Sequence, residues 1–168
     1  MQQFVTLVGG VFKSVAAGIQ ASLGASDSGK VVVTDASGRV DQSFMPVGIG
    51  ADIKSVLASE NLSAGNFVNV WNNAGTANVR KADATTAGKE AHGFVLSAFS
   101  SGTSALVYFE GNNTAVSGAT VGNLFLSTTA GGFTSTPPSS TGNIVQRIGV
   151  STDATSVNVE FKDPIELA

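Results

Sequence analysis

The chain has 168 residues, of which 42% are hydrophobic and only 12% are charged, and its formal net charge is −3. It contains no cysteine, which excludes disulfides, thiolate catalysis and sulfur-ligated metals. Its lysines and arginines are scattered apart from Arg80-Lys81, so no basic stripe could follow a phosphate backbone, and we expect no nucleic-acid partner.

The first segment, "MQQFVTLVGGVFKSVAAGIQASLG", is apolar but does not have the pattern of a signal or a membrane span. Gln2 and Gln3 stand where a signal peptide has positive charge, and Lys13 interrupts the apolar stretch. No stretch reaches the roughly 18 apolar residues that a membrane span needs. We therefore expect synthesis in the cytoplasm and no membrane partner. Apolar residues at roughly helical spacing from Phe12 to Leu23 permit one weak amphipathic helix.

The next segment, "GASDSGKVVV", nearly matches a phosphate-binding loop. That loop needs Ser or Thr after its lysine to hold magnesium, and a helix after that. Here Val31 follows Lys30, and three consecutive valines predict a short strand. We therefore expect no nucleotide or other cofactor.

Residues 1–52 are predicted to form an extended N-terminal arm. Short apolar pieces alternate with Gly, Ser and Asp turns, and the segment ends in "DQSFMPVGIGAD", where a proline and two glycines block regular structure.

Residues 53–168 are predicted to form an all-β domain, either a small sandwich or barrel-like. Turn signals such as Asn73-Ala74-Gly75, Ser101-Gly102 and Thr141-Gly142 separate short strands. The predicted strands are "NFVNVW", "TANVRKA", "AHGFVLSAF", "SALVYFEG", "NLFLST", "NIVQRIGVS" and "SVNVEFK".

The residue patterns of two of these strands predict which of their faces are buried. In "SVNVEFK", Val157, Val159 and Phe161 alternate with polar residues, so one face should be buried and the other exposed. In "SALVYFEG" Leu106 and Tyr108 lie on the face opposite Val107, so both faces should need cover, from a second layer or from another chain.

The β domain also shows a candidate internal repeat, residues 62–111 and 119–163. "LSAGNFVNVWNNAGTANV" can be laid on "ATVGNLFLSTTAGGFTST", with Gly65-Asn66 over Gly122-Asn123, and "GFVLS" from Gly93 on "GVSTD" from Gly149. Either two related β units pack together, or Gly-, Ser- and Thr-rich β sequences resemble each other by composition.

Catalytic and metal-binding patterns are missing from the sequence. His92, the one histidine, lies in "EAHGF" at a strand start, where we expect a structural role, and no G-x-S-x-G motif accompanies it. The carboxylates are spread singly, which predicts no metal site, and Glu110 has no evident catalytic partner. We therefore expect no enzyme activity.

The amino-acid sequences of two segments, "GRVDQSFMP" and "KADAT…AHGFV", resemble those of the head decoration, or capsid cement, proteins of tailed bacteriophages. The resemblance extends over most of residues 29–168. It implies a β-rich structural protein on the outer surface of the virion head. Such a protein often forms trimers, and it binds the major capsid protein and locks neighbouring subunits together.

For such a protein, the arm is predicted to carry much of the capsid binding. Its large apolar side chains Phe4, Phe12, Phe44 and Met45 are the expected capsid contacts, because the surrounding glycines and serines give them little to pack against. The other possibility is that the arm folds back on its own β domain.

A tail or fibre component that recognises a host surface glycan is the alternative function. "DASGRVDQSFMP" is also typical of fibre segments, and Trp71 and Tyr108 could stack on sugars. For Trp71, packing at the edge of the core is the competing role.

Overall fold

The computed structural model describes residues 4–15, 18–36, 38–41, 44–45 and 52–168. The chain divides into two compact units, Met1–Gly50 and Ala51–Ala168. Within the described residues the regular structure consists of β-strands and one short 3-10 turn, so the prediction of an all-β fold is confirmed. The role of residues 1–52 as an arm stays a prediction.

The N-terminal unit begins with a hairpin of β1 (Phe4–Val8) and β2 (Val11–Val15). Gly9 and Gly10 form its turn with φ angles of 59° and 79°, the positive values that a tight hairpin favours. The strand β2 occupies part of the segment for which a weak helix was permitted. The predicted strand at the three valines is reduced to a parallel bridge between Ile19 and Val32.

The C-terminal unit contains a closed five-stranded barrel. The parallel pairing of its first strand with its third completes the barrel, and the other neighbours are antiparallel. The strands are β3 (Ile53–Ala58), β4 (Phe67–Asn73), β5 (Thr76–Lys81), β6 (Gly93–Phe94) and β7 (Ser104–Tyr108), in the order β3-β5-β4-β6-β7. The apolar interior is made by Val56, Ala58, Leu62, Val68, Val79, Val95, Ala105 and Val107.

The rest of this unit is an open antiparallel sheet and a two-stranded ladder. The sheet contains β8 (Gly111–Asn113), β9 (Gly122–Leu126), β10 (Phe133–Thr134), β12 (Arg147–Asp153) and β13 (Ser156–Val159) in the order β10-β9-β12-β13-β8. The ladder pairs β11 (Ile144–Val145) with β14 (Ile165–Glu166).

Burial along two strands tests the predicted faces. Val157 and Val159 are buried while Asn158 is exposed, so the predicted alternation in β13 is confirmed. In β7 Tyr108 packs on the core, whereas Leu106 is 37% exposed within this chain, so the cover of its face by another chain stays a prediction. The core cluster that the barrel shares with the open sheet therefore covers β7 at Tyr108, the last residue of the strand.

The barrel and the open sheet have corresponding strand orders, β5-β4-β6-β7-β3 and β10-β9-β12-β13-β8. Val68 pairs with Gly93 and Leu124 with Gly149, so β4 and β9 correspond with a shift of one residue from the sequence overlay. A side chain at Gly93 would collide with Val107 and the Tyr108 carbonyl, and one at Gly149 with Val157 and the Asn158 carbonyl. The internal repeat itself stays a prediction.

The loop before β4 joins the barrel to the open sheet. Asn113 of β8 donates a side-chain hydrogen bond to the Gly65 carbonyl at 3.1 Å, and the Asn66 side chain donates to the Gly131 carbonyl at 3.4 Å. The loop therefore contacts residues at or beside both edge strands of the sheet, β8 and β10. The barrel strands that correspond to β8 and β10 are β3 and β5, and these two strands pair directly with each other.

We expect Gly65→Ala to destabilise the β domain more than Gly75→Ala. Both glycines have positive φ, 84° and 89°, so both substitutions carry the same backbone penalty. A Cβ at Gly65 would lie 2.3 Å from the Ala115 carbonyl oxygen, whereas at Gly75 nothing lies within 4 Å. The difference in the free energy of unfolding, measured with urea, should be about 1–3 kcal/mol. Equal losses would show that the loop can move away from Ala115.

Candidate binding surfaces

The four predicted capsid contacts lie in two separate segments. Phe4 and Phe12 belong to the hairpin, opposite Val15 and Leu7, so the register does not pair them with each other. Their side chains lie outside the described part of the structure. Phe44 is half-buried and Met45 is 44% exposed.

Other exposed apolar residues of the N-terminal unit were missed by the sequence reasoning. Leu23 is 83% exposed, and four valines expose between 37% and 59% of their surface: Val11, Val31, Val32 and Val40. Within the described side chains of this unit, Asp27 is the buried residue, and no apolar one is buried. A run of valines beside Gly and Ser was the available signal, and it was interpreted as a strand.

The loop that resembles a phosphate site is closed by its own carboxylate. Gly24–Asp27 forms the 3-10 turn, and the Lys30 ammonium lies 2.6 Å from the Asp27 carboxylate, which also accepts the Leu23 amide. The ammonium of Lys30 and the N–H of Leu23 hold the pKa of Asp27 below its usual value. The lysine that would bind phosphate is thus already paired with an anion.

His92 lies in a hydrogen-bonded position at the start of β6. Its Nδ1 accepts the backbone N–H of Val70 at 3.1 Å, which fixes the proton of the neutral ring on Nε2. Asn69 lies 3.4 Å from the same nitrogen through its Nδ2. These contacts give His92 a structural role between β4 and β6. Among the described residues no group of three or more His, Asp or Glu side chains could hold a metal ion.

Trp71 and Arg80 form a platform on the outer face of the barrel. The Arg80 guanidinium lies over the indole ring, 5.0 Å from its centroid, and the indole N–H donates to the Ser59 hydroxyl at 3.3 Å. Arg80 donates through Nε to the Asn69 side chain at 3.0 Å and through Nη2 to the Gly88 carbonyl at 2.7 Å. The cation and the ring are therefore held in fixed positions.

Tyr108, the other aromatic side chain predicted to stack on sugars, has a different position. Its ring is stacked on Phe94 with centroids 5.4 Å apart and an interplanar angle of 20°. Phe94 is fully buried in the core between the barrel and the sheet. One face of Tyr108 therefore belongs to the core and is not available to a ligand.

The crossover segment after β5 carries a buried carboxylate, Asp83. Burial favours its neutral form, but the hydroxyl and amide of Thr85 and the ammonium of Lys89, 3.1 Å away, outweigh that effect and lower its pKa. Hydrogen bonds from Ser156 and Thr155 lower the pKa of Asp153, and those from Lys162 and Arg147 lower that of Glu160.

We expect the β domain to lose stability in acid through these carboxylates. A lowered folded-state pKa means that the stabilisation is complete above the unfolded value, about 3.9 for Asp, and is lost as the pH falls through the folded value. Urea unfolding at a series of pH values should show this loss below about pH 4. In the Asp83→Asn variant the free energy of unfolding should fall less steeply as the pH is lowered. An identical pH profile for Asp83→Asn would mean that Asp83 has the same pKa in both states.

Within the described residues, no helix is long and apolar enough to cross a membrane.

Comparisons with known proteins give one structural likeness. No protein-family model matches the chain, and no curated protein matches it. Among solved structures, the chain is similar to the head fiber gp8.5 N base of bacteriophage phi29, with 13% identity and a TM-score of 0.43. The match covers 66% of this chain and 95% of the phage protein's chain.

Proposed function

We propose that this protein is a structural virion protein of a tailed bacteriophage. In this proposal it binds the outer surface of the head as a homo-oligomer, a trimer, and stabilises the shell by bridging neighbouring major capsid subunits. Its attachment segment is the N-terminal unit, and its β domain is the rigid part that stands on the shell. The proposal has no catalytic step.

The observation that carries the proposal is the unequal burial in the two units. The β domain buries two apolar clusters of its own, one inside the barrel and one between the barrel and the open sheet. By contrast, the described side chains of residues 1–50 include no buried apolar residue, while Leu23, Val32 and Met45 are 83%, 45% and 44% exposed. A segment with this composition gains stability by burying those side chains against a partner.

The geometry of the β domain suits a part that needs shape and rigidity. Closure of the barrel removes the free strand edges on which chains aggregate. Among the buried side-chain nitrogen and oxygen atoms of the described residues, none is without a hydrogen-bond partner. A shell carries many copies of such a protein, so bridging contacts gain from effective concentration and each one can be modest.

Substitution of the attachment residues tests the proposal on the full chain. Phe44→Ser with Met45→Ser should weaken co-sedimentation with undecorated capsids, because each buried anchor contributes about 1.5–3 kcal/mol. Leu57→Ser with Leu106→Ser is the matched control, since these β-domain leucines are 40% and 37% exposed. Equal loss with both pairs, or loss with the control alone, would contradict attachment through residues 1–50.

The alternative, a tail or fibre component that recognises a host glycan, predicts a different position on the virion. Gold-labelled antibodies to the protein should decorate the head under our proposal and the tail under the alternative. Labelling of the tail alone would overturn the capsid role whatever the result of the co-sedimentation experiment.

A further inference from the structure

The platform of Trp71 and Arg80 has features that neither core packing nor capsid attachment explains. Trp71 is the one tryptophan of the chain, yet it belongs to neither apolar cluster. It is partly exposed. The β4-β5 hairpin, which pairs Trp71 with Asn78 and Asn69 with Arg80, places the two side chains diagonally on one face.

Arg80 is held in place by neutral partners. A guanidinium has five N–H donors, and its two hydrogen bonds here go to the Asn69 amide oxygen and the Gly88 carbonyl. Asn69 is fixed in turn by its own hydrogen bond to the Glu90 carbonyl at 2.8 Å. Arg80 takes part in none of the ion pairs within the described residues. Its charge and its remaining donors are therefore available to an anion.

The neighbouring lysines do not share this property. Lys81 lies 3.8 Å from the Glu60 carboxylate, and Lys89 lies 3.1 Å from that of Asp83. The surface thus offers one uncompensated cation beside one aromatic ring, not the row of cations that a nucleic-acid backbone requires. It fits a ligand that carries a single anionic group next to a flat apolar face.

We propose that the Trp71–Arg80 platform binds an acidic saccharide. The C–H face of a pyranose would stack on the part of the indole that the Arg80 guanidinium leaves uncovered, and the sugar's carboxylate would accept hydrogen bonds from the free N–H groups of Arg80. An acidic peptide would meet the same cation but would have no pyranose face to stack on the ring.

Because the chain has a single tryptophan, its fluorescence reports on this site alone. The full-length protein is titrated with oligogalacturonate and oligosialate, and in parallel with a neutral galactose oligomer of equal length and with polyglutamate. We expect a saturable change in emission with at least one acidic saccharide. The affinity for that saccharide should exceed those for the neutral oligomer and polyglutamate by about tenfold or more, as loss of a hydrogen bond to a charged group would give.

Variants then test the assigned residues. Arg80→Gln should weaken binding of the acidic saccharide about tenfold and leave the weak response to the neutral oligomer unchanged. Trp71→Ala, followed by calorimetry, should abolish both. Arg147→Gln is the matched control, because Arg147 belongs to the open sheet and is paired with Glu160 at 2.7 Å. Thermal melts of each variant show whether it is folded.

Three outcomes would overturn the inference. The first is no response to either acidic saccharide at millimolar concentration in the wild-type chain. The second is equal affinity for polyglutamate, which would make the site a general carboxylate site, or for the neutral oligomer. The third is equal weakening by Arg80→Gln and Arg147→Gln. Since the first two use the wild-type chain, a misfolded variant does not prevent a decision, and none of the outcomes depends on capsid binding.

Discussion

Phe67→Ala should lower the free energy of unfolding of the β domain by about 3–5 kcal/mol, the usual cost of removing a buried phenylalanine ring. Small domains are stable by only about 5–15 kcal/mol, so a loss of about 3–5 kcal/mol removes roughly a fifth or more of the total. We expect it to exceed the effect of any substitution on the exposed face of the barrel.

The reason is the place of Phe67 at the junction between the barrel and the open sheet. The side chain is fully buried and lies edge-to-face against Phe133 and Phe161, each with ring centroids 6.4 Å apart. Its neighbour Val68 is also fully buried but belongs to the interior of the barrel. Removal of the Phe67 ring therefore leaves a cavity between two layers whose other large side chains, such as Phe94, Leu124 and Ile148, are already buried in the same cluster.

Urea unfolding at neutral pH measures this effect, with two comparison variants. Phe67→Leu keeps most of the apolar volume and should lose less, while Leu106→Ala, at a position 37% exposed, should stay within about 0.5 kcal/mol of the wild type. A loss of less than about 1 kcal/mol for Phe67→Ala would mean that the junction collapses around the gap or contributes little to folding.

Local sequence pattern was sufficient to predict the class of fold and the buried face of β13. The alternation of Val157 and Val159 with Asn158 and Glu160 identified the buried face of β13, because successive side chains of a strand point to opposite sides. The glycine of the Asn73-Ala74-Gly75 turn, with φ of 89°, likewise marked the β4-β5 hairpin. These features depend on neighbours in the chain.

The junction could not be predicted in the same way, because both Phe67 and Val68 are apolar and are buried in different clusters. The local sequence does not show that two consecutive residues of one strand belong to different apolar clusters. For the same reason the sequence overlay of the repeat was placed one residue away from the strand pairing, which moves every side chain of β4 to the other face.

The candidate surfaces were predictable in part. Trp71 was recognised as an aromatic residue with two possible roles, but its partner Arg80 becomes visible only through the hairpin register that brings the two residues onto one face. The pairing of Lys30 with Asp27 was also missed, although the two residues are three apart in the sequence and of opposite charge. The capsid contacts at Phe4, Phe12, Phe44 and Met45 stay predictions.

Deletion of residues 1–50 should abolish co-sedimentation with undecorated capsids while the β domain stays folded. Every apolar residue of the two core clusters lies at Val56 or beyond, so the remaining chain keeps both clusters and should retain one cooperative unfolding transition. The deleted segment carries the exposed Leu23, Val32 and Met45, whose burial against the capsid is the proposed source of affinity. Capsids mixed with the shortened protein should also lack the added resistance to heat that the full chain gives.

The result can contradict the proposal in two separate ways. If the shortened protein unfolds without a cooperative transition, residues 1–50 are part of the structural core and fold back on the β domain. If it is folded and still saturates capsids with unchanged affinity, the attachment surface lies on the β domain instead. Addition of a peptide of residues 1–50 distinguishes these cases further, since under our proposal the peptide competes with the full chain for capsid sites. A β-domain attachment surface would leave full-chain binding unaffected by the peptide, because the two would then occupy different sites.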